Sequence, residues 1–294
     1  MTYRSIIVLF TVLSLASFTP ASEDPAYKAK LEAWHQKRIN SLKEENGWLN
    51  LAGLFWLKEG DNTVGSVSDN KIVFPAGDQH IGNFQLKNGE VTFTPDAQAE
   101  VLMNGEKITA TQTIFSDHSR NVPTLQHQSL RWVIIKRGDK YGVRLRDLES
   151  EQLKNFHGIE HYPINETYRV KAHLEKPATP TTVSIVNMIG QTSEQPLAGT
   201  LVFKLNGKTY RLDATGKGEL FIVFGDATNK TETYGSGRFI YVEEPDADGN
   251  TILDFNQAIN PPCAFTPYAT CPLPLKQNKL AVRIPAGEKR FGDH

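Results

Sequence analysis

Three carboxylates in the C-terminal third, Asp226, Asp254 and Glu288, have the residue type needed for acid–base chemistry. Two carboxyl groups brought within roughly 5–10 Å of one another can work as acid and base, as in glycoside hydrolysis. Asp254 or Asp226 would be the base and Glu288 the acid, with Arg238 facing developing negative charge. Cys263 and Cys271 stand with seven residues between them. In an exported protein such a pair most often closes as a disulfide. So short a loop would gain roughly 2–3 kcal/mol if unstrained. Zinc would need two further ligands. His157 and His161 have the spacing of a ligand pair on one helical turn, but Pro163 argues against a helix there, and no metal is expected. A thiol nucleophile would need a base, and no histidine lies near the cysteines in sequence. Tyr234-Gly235-Ser236-Gly237 comes close to a nucleophile elbow but lacks its spacing. There is no phosphate loop and no dinucleotide fingerprint, so no cofactor is expected.

These groups need a scaffold, and the composition says which kinds are open. The chain has 294 residues, 39% of them hydrophobic, enough for one large core or two ordinary ones. Its 32 basic and 33 acidic residues leave no positive surplus for a duplex, so nucleic acid is not an expected partner. Arg4, an apolar run over residues 6–18 and Thr19-Pro20-Ala21-Ser22 read as a secretory signal peptide over residues 1–21, cleaved after Ala21. No later run approaches 18 apolar residues, so no membrane span is expected in the mature chain. The expected location is outside the cytoplasm, periplasmic or secreted.

The patterning predicts an N-terminal amphipathic helix and then a mainly β fold. Within residues 22–46, Leu31, Trp34, Arg38 and Leu42 recur at helical steps. This helix is expected to pack on a sandwich. Residues 47–150 break into short strands spaced for a β-sandwich. Residues 151–294 form a second sandwich or barrel-like domain. Asn88-Gly89, Asn104-Gly105 and Asn206-Gly207 carry the two-residue hairpin signal. A closing strand is expected over residues 280–284. Five prolines, at 261, 262, 267, 272 and 274, make residues 261–274 an ordered but irregular loop.

Leu57-Lys58-Glu59-Gly60, Val64-Gly65-Ser66, Ile72-Val73-Phe74-Pro75 and Val101-Leu102-Met103-Asn104-Gly105 resemble a forkhead-associated sandwich. Such domains read phosphothreonine through an arginine after the strand glycine, where this chain has Ser66. The resemblance therefore implies the fold and not phosphopeptide binding.

Further on stand Gly225-Asp226-Ala227-Thr228, Thr233-Tyr234-Gly235-Ser236-Gly237-Arg238-Phe239 and Leu253-Asp254-Phe255-Asn256. Asn260-Pro261-Pro262-Cys263-Ala264-Phe265-Thr266-Pro267-Tyr268-Ala269-Thr270-Cys271-Pro272-Leu273-Pro274 follows, then Asn278, Leu280 and Ala286-Gly287-Glu288-Lys289. On these motifs the chain is similar to the bacterial and archaeal family catalogued as domain of unknown function 1684, from about Trp48 to the C-terminus. That resemblance implies no activity, but it singles out the polar residues in these motifs.

Loops on a rigid sheet are where binding groups concentrate, and prolines lower the entropy lost on fixing them. The leading expectation is a site for a small polar or anionic ligand. Arg238 would supply the charge, Tyr234 and Tyr268 the walls, and Asn256 and Asn260 the orientation, with Thr233 and Asn278 beside them. A hydrolase using the three carboxylates is the alternative. A structural or envelope-interaction module is the third.

Overall fold

Asp24 starts the first element by accepting a hydrogen bond from the Ala26 amide at 2.9 Å. Pro25 follows at a position where a missing amide costs no intrahelical bond. Helix α1 spans Pro25–Lys43 and turns Leu31, His35 and Leu42 inward. In this computed structural model residues 24–118 and 121–292 are described, so residues 1–21, where a signal peptide is expected, lie outside them. Gly47 ends the helical region. Its amide donates to the Glu44 carbonyl at 2.7 Å, and a Cβ there would sit 2.2 Å from the Leu42 carbonyl oxygen.

The next stretch is the expected two-layer sandwich. Its strands are β1 (Leu51–Trp56), β2 (Gly60–Gly65), β3 (Ile72–Val73), β4 (Gly82–Lys87), β5 (Glu90–Pro95) and β6 (Leu102–Met103). They continue as β7 (Glu106–Lys107), β8 (Gln112–Phe115), β9 (Leu125–His127), β10 (Leu130–Arg137) and β11 (Lys140–Asp147). One sheet runs β1-β11-β10-β9-β6-β7 and the other β3-β2-β4-β5-β8. Trp132, Phe74, Phe84 and Phe93 fill the space between them. Ring contacts of 5.5 Å from Phe74 to Trp132 and 6.0 Å from Phe93 to Trp132 hold the layers together. Strands β1 and β11, the first and last, are paired neighbours, so the chain enters and leaves this unit at one edge.

The second sheet contains β12 (Arg169–Glu175), β13 (Thr182–Val186), β14 (Thr192–Leu205), β15 (Lys208–Thr215), β16 (Leu220–Phe224), β17 (Arg238–Val242) and β18 (Asn250–Asp254). Its order is β17-β16-β15-β14-β12-β18, with β13 added on β14, and it curls as a half-barrel. The three Asn-Gly pairs expected to turn do make tight hairpins, between β4 and β5, β6 and β7, and β14 and β15. Asn88, Asn104 and Asn206 all have φ of 51–52°, as this turn requires.

Two expectations fail. The strand expected over residues 280–284 does not form. The Leu280 amide donates to the Gly225 carbonyl and the Ile284 amide to the Asp226 carboxylate, so no neighbouring strand receives this segment. Leu280 and Ile284 still enter the second core, which explains their apolar character. Nor does α1 pack on the first sandwich. Leu42 joins Phe156, Tyr234, Ala264 and Phe265. Trp34 packs against Val223, Phe239, Ile259 and Cys271. Residues 51–147 are therefore an excursion between a helix and the β unit that receives it. Leu42→Ala should cost about 2–5 kcal/mol, the range for emptying a buried leucine site. A urea midpoint unchanged by this substitution would show that α1 does not belong to the second core.

Candidate functional site

Strand β16 ends at Phe224, and the chain leaves it through Gly225-Asp226. The Asp226 side chain accepts from the Thr228 hydroxyl at 2.8 Å, the Ile284 amide at 2.7 Å and the Arg238 guanidinium at 3.2 Å. Arg238 opens β17, and its side chain has no exposed area. It also donates to the Ile284 carbonyl at 3.0 Å and to the Ala286 carbonyl. The Phe224 ring lies 5.1 Å from the guanidinium carbon. Burial pulls this guanidinium below its ordinary value and the Asp226 charge opposes that shift. Thr228 and Thr233 share a 2.8 Å hydroxyl contact, and Asn229 donates to the Thr233 hydroxyl and the Tyr234 carbonyl.

Above this buried network is a pocket of about 390 Å³. Its walls include Lys230, Lys279, the Gly235-Ser236-Gly237 turn and Pro274. Gly237 has φ of +97°, and a Cβ there would lie 2.6 Å from the Phe224 carbonyl oxygen and 2.7 Å from the Pro274 ring. Only glycine lets the turn press against both the strand end and the proline loop. Lys230 and Lys279 are exposed, and neither makes an ion pair among the described residues.

Two further networks form where α1 crosses the β unit. Asp254 accepts from the Tyr27 hydroxyl at 2.7 Å and from the Asn256 amide and side chain. Asn256 also donates to the Asn165 carbonyl and accepts from the Asn165 amide, both at 3.0 Å. Burial and the Asp254 hydrogen bond push the Tyr27 hydroxyl well above its usual range. His35 Nε2 lies 3.2 Å from the Asn256 carbonyl and must donate to it. Its Nδ1 then has no partner among the described residues, and the ring lies tilted with its centroid 4.2 Å from that of His161. Burial, then the neighbouring His161, lowers the His35 pKa. Eleven residues along from Tyr27, Arg38 donates to Glu288 at 3.2 Å and to the Asn260 carbonyl at 3.1 Å. Glu288 also accepts from the Asn260 amide at 2.6 Å. Burial raises the Glu288 carboxyl, and Arg38 offsets part of that rise.

The profile of the family described as "Protein of unknown function (DUF1684)" matches residues 154–289. The chain belongs to that family. An uncharacterized protein of Haloarcula marismortui, solved by NMR in solution, is 30% identical. The similarity covers 49% of this chain and 82% of that one, with a TM-score of 0.42. No curated protein matches the chain. The DUF1684 segment starts about a hundred residues after Trp48, where the sequence motifs had placed its beginning. It holds the pocket and the acceptors of all three networks, while Tyr27, His35 and Arg38 lie outside it.

The structure thus divides the sequence-derived residues. Asp226, Thr233 and Arg238 share one network, Asp254 and Asn256 a second, Asn260 and Glu288 a third. The three carboxylates have no hydrogen-bond partner in common. Asn278 bridges Asp213 and Val223 through their backbones. Tyr234 is buried in the apolar cluster under α1, and Tyr268 is on the surface, so neither lines the pocket. Arg238 has no surface to offer a ligand. Cys263 and Cys271 are free thiols in this structure rather than the expected disulfide. Sequence reasoning missed Lys230, Lys279, Tyr27 and His35. Lys279 directly follows the quoted Asn278, which was the available signal.

Two measurements follow from this geometry. Asp226→Ala leaves a buried guanidinium without its counter-charge, which costs about 3–5 kcal/mol. Urea denaturation should register that loss, and a change under 1 kcal/mol would remove Asp226 from the foundation of the pocket. The second concerns pH. His35 is neutral when folded, whereas the unfolded chain takes up a proton as pH falls through about 6.5. Its contribution is therefore full above that value and is lost as pH falls toward the lowered folded pKa. The wild type should lose stability with a slope of up to about 1.4 kcal/mol per pH unit that His35→Gln lacks. Parallel pH profiles for the two proteins would contradict this.

Proposed function

We propose that this is an exported protein whose DUF1684 segment binds a small anionic ligand in the pocket between Lys230 and Lys279. The observation that carries the reading is the pair of ammonium groups without carboxylate partners beside a glycine-rich turn. An ammonium group is a flexible point charge with three donors, suited to phosphate or carboxylate oxygens. The one acidic wall residue, Asp226, is already compensated by Arg238. Leu273 and Pro274 add an apolar side, which fits a ligand with a short organic part.

Binding of the anion is the function this arrangement supports. Of the three carboxylates expected for hydrolysis, Asp254 and Glu288 are engaged by α1, away from the lysine pair, and Asp226 is engaged by Arg238. Calorimetric titration with inorganic phosphate, a phosphate monoester and a short carboxylate tests the reading. Lys230→Ala and Lys279→Ala should each weaken the tightest ligand about tenfold, or 1.4 kcal/mol, with the unliganded melting temperature unchanged. Equal affinity in the wild type and the double variant would overturn the site.

A further inference from the structure

The proline-rich loop carries both cysteines of the chain. The Cys263 amide donates to Cys271 Sγ at 3.1 Å, and the Cys271 amide donates to Cys263 Sγ at 3.3 Å. Two residues exchange such bonds only when they stand side by side with each sulfur turned toward the other. The loop that holds them is pinned from several directions. Thr266 donates to the Leu51 carbonyl at 3.0 Å, the Met188 amide to the Cys271 carbonyl at 2.9 Å, and the Leu273 amide to the Val186 carbonyl at 2.8 Å.

The two thiols are not equivalent. Cys263 is half-buried, and Cys271 is 5% exposed beneath the Ala269 and Phe239 cluster. The hydrogen bond from Cys271 holds the Cys263 thiol below its ordinary value. The same bond, with burial, pushes Cys271 up. Arg144 of β11 contributes a positive charge that acts on Cys271 from the sandwich side.

We propose that Cys263 and Cys271 form a thiol–disulfide exchange site, with Cys263 as the attacking sulfur, Cys271 as the resolving sulfur and a low-molecular-weight disulfide as co-reactant. The Cys263 thiolate attacks one sulfur of the small disulfide. That S–S bond breaks, and one small thiolate leaves with the electron pair. Cys271 then gives its proton to water and attacks Cys263 Sγ. The mixed disulfide breaks, and the second small thiolate leaves. The protein dithiol is oxidised by two electrons and the small disulfide is reduced to two thiols. Reduction by excess small thiol runs the same steps backward. Thr270 and Pro272, the neighbours of Cys271, line a cleft of about 710 Å³ that also touches Arg137 and Lys140 of the sandwich. The exchange site is therefore next to the wall between the two β units.

The test uses the full chain with oxidised glutathione, acid quenching and intact mass. Wild type should lose both thiols without a lasting adduct, and reduced glutathione should restore them. Cys271→Ser should accumulate one glutathione on Cys263. Native Cys263→Ser should react at least about tenfold more slowly than Cys271→Ser, because thiolate content and access set the rate. The two variants should become equal in urea. Brief alkylation of reduced wild type, mapped by peptide, gives the same order without any substitution and should mark Cys263 first. Equal native rates, or Cys271 marked first, would overturn the assigned roles. Wild type that keeps two free thiols in the native state but oxidises when unfolded would overturn the site itself.

Discussion

A guanidinium sealed from water needs its charge compensated, and Arg238 draws that compensation from two places in the chain through its two terminal nitrogens, while its Nε has no partner among the described residues. Asp226 and the Phe224 ring come from the end of β16, and the carbonyls of Ile284 and Ala286 from the last loop. Removing a charge from water costs several kcal/mol unless its partners are already in place. The irregular C-terminal segment is therefore held in position by charge compensation as much as by apolar contact. Asp226 passes that order on to Thr228, Thr233 and Asn229, and Asn229 to the turn that shapes the pocket. A mobile surface arginine would order none of this. In the proposed site the buried one leaves ligand charge to Lys230 and Lys279.

The second constraint is the helix. Tyr27, His35 and Arg38 each reach a backbone or side-chain group of the DUF1684 segment, and each contact engages a polar group that would otherwise be buried without a partner. The hydrophobic seats of Trp34 and Leu42 lie along the same face. A helix this rich in charge is stable where it lies because its few buried residues coincide with these polar contacts.

Much of the local architecture was legible in the sequence. The Asn-Gly turns were readable because a two-residue hairpin depends on its own φ angles and on nothing distant. Strand β2 is not legible in the sequence because Gly60, Asp61 and Asn62 have turn chemistry. The Asn62 side chain does close a turn onto Lys58, at 2.9 and 2.8 Å, while its backbone pairs with Phe84. Residues 280–284 looked like a strand because their buried residues are apolar, although their amides bond to Gly225 and Asp226. The motif residues were found as a set, but their partition was not. Residue type does not say whether an arginine faces a ligand or an aspartate beneath it. The role of α1 was equally hidden, since its partners are more than two hundred residues away.

That distance bears on the order of events in synthesis. The helix leaves the ribosome before its partners, since Asn256 follows His35 by 221 residues and Glu288 follows Arg38 by 250. The intervening sandwich closes its own edge through β1 and β11 and can complete its core while the rest is still being made. Until then the nascent helix has no surface to bury Trp34 and Leu42. Most of a helix's stability in a protein comes from tertiary packing of one face. The helix is thus made before the strands that receive it, yet is among the last elements to acquire its final shape.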